Sequence, residues 1–155
     1  MNIVKRIEQY NNENVYFCEP IKNNIMTEGI FIRILYSNEL FVLNGISLLV
    51  TLNDVNLEKY YNKYKCTFNI TNHLELIENL RQIESNLLKN YDNNKIPQYK
   101  IYEQLKNGNI KLFLENIDPI QISLPTAEFI LKISGVWETT SHYGLTYKFL
   151  KANNM

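Results

Sequence analysis

Through the first half of the chain apolar residues recur at every second position between turn signals, the period of a half-buried strand. In "GIFIRILYS" Ile30, Ile32, Ile34 and Tyr36 share one face, while Phe31, Arg33 and Leu35 share the other. A turn at Ser37-Asn38-Glu39 leads into "LFVL", and Asn44-Gly45 predicts a hairpin connection because both residue types accept positive φ. "ISLLVTL" resumes with Ile46, Leu48, Val50 and Leu52 inward. "YKCTFNI" follows with Tyr64, Cys66, Phe68 and Ile70 inward and Lys65, Thr67 and Asn69 outward.

The middle of the chain changes period. In "NHLELIENLRQIESNLLKNY" Leu74, Ile77, Leu80, Ile83, Leu87 and Tyr91 recur every three to four residues. That spacing predicts one long amphipathic helix over about 72–91, with Asn72 and Glu75 as a capping box. A single apolar stripe lays such a helix against a sheet, and Glu75, Glu78 and Glu84 then form its solvated side. After the break at "YDNNKIPQ", "YKIYEQLKN" reads as a short helix ended by Gly108, and "IKLFL" as a strand with Ile110, Leu112 and Leu114 inward. "IDPIQISLPTAE", with Pro119 and Pro125, reads as an irregular connection. Strands, one long helix and strands again predict a single α+β domain over 1–155, built on an antiparallel sheet or barrel.

The last long pattern is "FILKISGVWETTSHYGLTYKFLKA", a predicted hairpin over about 129–151 that carries the one tryptophan of the chain. By parity Leu145, Tyr147 and Phe149 face one side of its second strand, and Thr146, Lys148 and Leu150 the other. In its first strand Lys132 and Ser134 face away from Leu131 and Ile133. Strict alternation makes Trp137 a core residue. A glycine within a strand often marks a bulge, however, and a bulge at Gly135 turns Trp137 to the side of Lys132. Both readings stand at this stage.

Composition narrows the chemistry. With 155 residues and 45% hydrophobic content the chain can bury one sizeable core. Sixteen basic and sixteen acidic residues cancel, so any attraction to a polyanion has to be local. There is no Cys-x-x-Cys, no glycine-rich phosphate loop and no run long enough to span a bilayer. Cys18 and Cys66 are far apart, and the N-terminal stretch lacks the apolar core of a signal peptide, which predicts an intracellular protein with reduced thiols. His73 at the predicted helix start reads as a surface or capping residue, and His142 as an exposed loop residue. Neither has a partner set for metal binding or acid–base work, so no catalytic residue, metal or cofactor is expected.

What remains is a set on the polar sides of strands: Phe31 with Arg33, Lys63 and Lys65, Lys111 with Phe113, and Lys132 with Lys148. Aromatic faces for bases and cations for phosphates are what sequence-independent binding of a single strand requires. "LKISGVWETTSHYGLTYKFL", together with "IRILYS" and "NGI", resembles the small OB-like single-stranded-DNA-binding proteins of large eukaryotic DNA viruses and some phages. The resemblance implies an OB-like antiparallel barrel with the long helix packed on it. It implies a non-catalytic role in viral DNA replication, recombination or repair, in the host cytoplasm or nucleus. Trp137, Tyr143, Tyr147, Lys132 and Lys148 are the positions that match, and Phe31, Arg33 and Lys151 complete the expected nucleic-acid-binding set. Single-stranded DNA is the expected partner, with RNA as the alternative strand and a homodimer or replication proteins as further partners. The rival reading is a protein-interaction or virion structural module that docks through the same aromatic hairpin.

Overall fold

The computed structural model describes residues 3–22, 29–60, 63–91, 93–112 and 121–152. Three short strands come first, β1 (Val4–Arg6), β2 (Val15–Phe17) and β3 (Ile21–Lys22). The strands expected from the alternation follow as β4 (Ile30–Ser37), β5 (Val42–Asn44), the 15-residue β6 (Ile46–Tyr60) and β7 (Lys63–Thr67). Helix α1 (Leu74–Asn90) leads through β8 (Ile96–Gln98) and helix α2 (Lys100–Lys106) to β9 (Asn109–Leu112). The 18-residue β10 (Gln121–Glu138) and β11 (His142–Lys151) form the predicted hairpin. Leu114 and Phe113, expected on the β9 strand, lie outside the described residues.

Five strands close a barrel in the order β6, β7, β9, β11, β10 and back to β6. All neighbours are antiparallel except β9 and β11, which run parallel and meet at Phe149 and Leu112. The alternating residues fill it: Leu48, Val50 and Leu52, Cys66, Ile110 and Leu112, Phe129, Leu131 and Ile133, and Leu145 and Phe149 are all buried. Strand β4 adds Ile32, Ile34 and Tyr36 to the same core. At Gly45, with φ +86°, the chain passes from β5, paired to β4, into β6, paired to β10. A side chain there would meet the carbonyl of Ile133 at 2.7 Å.

Helix α1 presents Ile77, Leu80, Ile83 and Leu87 to the core as its spacing predicts. Its start differs from expectation. The capping box of Asn72 and Glu75 does not form; Asn69 instead caps a preceding 3₁₀ turn by accepting from the Thr71 amide, and Leu74 is 61% exposed. Ile70, expected inward, is exposed in that turn. His73 is buried rather than on the surface. Its Nδ1 lies 2.7 Å from the Asn69 carbonyl, and its Nε2 accepts from the Asn53 amide at 2.9 Å. This uses the neutral ring with hydrogen on Nδ1 and ties the helix start to β6.

Two further corrections concern β10 and Glu84. The segment read as an irregular connection is a strand from Gln121 onward, and Pro125 is tolerated because the β6–β10 register skips Asp54 and Pro125 together. Glu84 is 1% exposed, not part of the solvated face. The first turn of α2 needs acceptors for its free amides, and Tyr99 at its N-cap supplies none. Glu84 supplies both, accepting from Ile101 and Tyr102 at 2.9 Å each. The Gln104 side chain then spans the seam between β9 and β11, accepting from the Lys111 amide and donating to the Tyr147 hydroxyl.

Burial pushes the Glu84 carboxyl from the usual range up to about 7, against the pull of the two amides. The folded chain therefore holds a proton that the unfolded chain releases near 4.5. Its contribution is fully present below that value and is lost as pH rises through about 7. The expected amplitude is on the order of 3 kcal/mol, at about 1.4 kcal/mol per pH unit. Urea denaturation of the wild type and Glu84→Gln across this window should show the fall in the wild type and its removal in the variant.

Candidate nucleic-acid interface

The outer face of the hairpin is decided by one residue. Up to Ile133, opposite Tyr147, β10 and β11 pair in simple alternation; the next pair is Gly135 with Thr146, so Ser134 is extra. Before it Leu131 and Ile133 are buried, and after it Val136 and Glu138 are. The bulge reading of Gly135 is the one the structure adopts, and it places Trp137 outward with Lys132.

Trp137 then stands opposite Gly144 on β11 and Phe31 on β4. Both rings lie against glycines. A Cβ on Gly144 would come within 2.8 Å of the indole, and one on Gly135 within 2.5 Å of the Phe31 ring. Each aromatic thus covers bare backbone on the neighbouring strand and is itself half exposed. The Lys100 ammonium sits 5.7 Å from the indole centroid.

A row of lysines crosses the same outer surface. Lys65 pairs with Lys111 across β7 and β9, and Lys148 pairs with Lys132 across β11 and β10. The parallel pairing of Leu112 with Phe149 sets Lys111 beside Lys148 and joins the two pairs. The row runs Lys65, Lys111, Lys148, Lys132, bounded by Glu58 at one end and Ser47 at the other. Lys65, Lys111 and Lys148 are exposed and Lys132 half-buried, and among the described residues none of the four has an ion-pair partner. The aromatic row lies four residues along β11 from the lysine row, about 13 Å. Arg33, opposite Gly135, stands midway, exposed and within 3.3 Å of the Asn44 side-chain oxygen.

Phe31, Arg33, Lys132, Trp137 and Lys148 therefore come together on one face. Three other expected members do not. Tyr143 pairs with Glu138 on the inward side, is buried, and donates its hydroxyl to the Leu88 carbonyl, so its ring is closed to a base. Tyr147 is also inward, with its hydroxyl engaged by Gln104 and donating to the Lys100 carbonyl. Lys151, opposite buried Phe129, falls on the inward parity at the barrel's end. Parity in "GLTYKFL" already assigned Tyr147 to the other side from Lys148. Lys100 was missed because only the three-dimensional path over Gly144 brings it to Trp137.

The remaining polar groups are structural. Glu138 accepts from the Tyr91 hydroxyl at 2.5 Å and pairs with Lys95 at 2.9 Å. Burial pushes the Cys66 thiol up to about 12, which leaves it inert. His142 is half exposed and 2.7 Å from the Ser141 hydroxyl. Among the described residues no cluster of His, Cys, Asp and Glu is placed to hold a metal ion, and no helix is long and apolar enough to cross a membrane. Comparison of the chain with protein-family models, curated proteins and solved structures finds no match.

Gly135 has the clearest structural test. Gly135→Ala drives a methyl into the Phe31 ring and the Ile32 carbonyl, so it should cost about 1–3 kcal/mol in chemical denaturation. Trp137→Ala, at a half-exposed site, should cost well below the roughly 3–5 kcal/mol of a core aromatic.

Proposed function

We propose that this protein holds single-stranded nucleic acid, single-stranded DNA in the first instance, without reading sequence and without catalysis. The observation that carries the reading is the joint placement of the Trp137–Phe31 ring pair and the four-lysine row on one outer face, with Arg33 between them. Bases stack on ring faces irrespective of identity, and lysines meet phosphates as point charges. We read the closed five-stranded barrel as OB-like. In such barrels the face of the second and third strands and the loop between the last two bind oligonucleotides. Here those strands are β7 and β9, with Lys65 and Lys111, and the loop is Thr139–Ser141. Such a protein would serve DNA replication, recombination or repair by protecting exposed strands.

A protein-docking reading has its own observation. Leu40, 88% exposed, and exposed Tyr16 line a cleft at the β4–β5 turn with Asn14, Ser37, Asn38 and Glu39, and exposed Val42 pairs with Ser37 beside it. The cleft's lining includes no cation, so a partner held there through Leu40 and Tyr16 would lack the steep salt dependence of lysine–phosphate contacts.

Titration of a labelled oligonucleotide at several salt concentrations decides between them. Four lysine–phosphate contacts give a slope of log K against log salt of about −3, at about −0.7 per contact. The pair Lys132→Ala and Lys148→Ala should halve that slope, and Trp137→Ala should weaken binding by about 1–3 kcal/mol. Absence of binding at low salt would remove the proposal.

A further inference from the structure

The indole of Trp137 is reached by a cation that the hairpin does not supply. Lys100 is the first residue of α2, and its ammonium sits 5.7 Å from the indole centroid across Gly144. Its place depends on the first turn of α2, which is held by groups from two other elements. Glu84 of α1 accepts from the amides of Ile101 and Tyr102, and Tyr147 of β11 donates to the Lys100 carbonyl. Glu84 is the stronger tie, since it accepts from two first-turn amides that the N-cap residue Tyr99 does not cap with its side chain.

We propose that Glu84 is a positioning residue for the strand-binding face, holding the first turn of α2 so that Lys100 covers Trp137 and meets a phosphate beside the stacked base. The inference deepens the nucleic-acid reading and rests on it for the phosphate contact, but the Glu84–Lys100–Trp137 linkage stands on geometry alone. An ionised carboxylate accepts from both amides strongly, and a protonated one turns one oxygen into a hydroxyl and accepts more weakly. The linkage is therefore proton-sensitive. Burial pushes the Glu84 carboxyl up to about 7, with Glu103 of α2 adding repulsion and Tyr147 the other titratable group coupled to it. Arg81, one turn earlier on α1, is engaged with Glu78. Rising pH thus tightens the hold on α2 even as burying the charge costs the whole fold stability.

The chain has a single tryptophan, so its emission reports the Lys100 contact directly. In the folded protein without nucleic acid, Trp137 emission should titrate with a midpoint near 7, and both Glu84→Gln and Lys100→Met should flatten the curve. A flat wild-type curve, or one unchanged by Glu84→Gln, overturns the proposal. Oligonucleotide binding forms the second arm: Lys100→Met should lower the salt slope by about 0.7. If no variant or wild type binds oligonucleotide, the strand-binding reading fails while the emission curves still decide the linkage.

Discussion

The extra residue at Ser134 is the constraint on which the rest of the outer surface depends. β10 has to serve three neighbours, with β11 along one edge and β6 then β4 along the other. The change of partner from β6 to β4 falls where the register slips, between Ile133 and Gly135. Because side chains alternate with period two, one inserted residue exchanges the faces of everything after it. Val136 goes inward and Trp137 outward. The absent side chain at Gly135 is required twice over, by the Ile32 carbonyl behind it and by the Phe31 ring above it.

A second dependency runs through the parallel join of the barrel, between β9 and β11. Among the described residues β9 and β11 pair at Leu112 with Phe149. α2 lies along that join, and the Gln104 side chain bonds to both strands. A helix of seven residues has no independent stability, so its amides and its placement have to be secured from outside. Burying the Glu84 carboxyl is unfavourable in itself, but leaving two amides unpaired in the same place would be worse. One buried acid thus secures the first turn of the helix that carries Lys100 and that bonds to β9 and β11 through Gln104.

What was legible in the sequence divides along the same lines. Period-two alternation identified the inward residues of β4, β6 and β7, and the three-to-four spacing identified Ile77, Leu80, Ile83 and Leu87, because burial of one face is a local pattern. Gly135 announced two alternatives and only the strand register chose between them. Glu84 was read as solvated since a carboxylate on a helix usually is; its partners lie on α2, and no local signal reports an amide that needs an acceptor from elsewhere. Pro125 suggested a break, and the strand persists because its unpaired position coincides with Asp54 on β6. The lysines were each visible as outward, but their alignment depends on the parallel pairing of β9 with β11, which nothing local encodes.

That alignment has a cost and a consequence. Like charges directly opposite on neighbouring strands destabilise a sheet, by a few tenths of a kcal/mol to about 1 kcal/mol for each pair. The row contains two such pairs, Lys65 with Lys111 and Lys132 with Lys148, joined side by side. The buried residues between them, Cys66, Leu112, Phe149 and Leu131, hold the register against this repulsion. Glu58 faces Lys65 at one end of the row, but Glu75 and Glu78 lie exposed on α1, Glu84 and Glu138 are buried, and the neighbours directly opposite Lys132 and Lys148 include no acid. A polyanion laid along the row would relieve it, gaining the lysine contacts and removing the repulsion together. Zero net charge leaves no net pull at long range, and salt at physiological strength screens the row's own field beyond about 8 Å, so attraction acts at contact. Affinity on such a surface has to be completed by short-range contacts, and the two rings resting on Gly135 and Gly144 are where that face offers them.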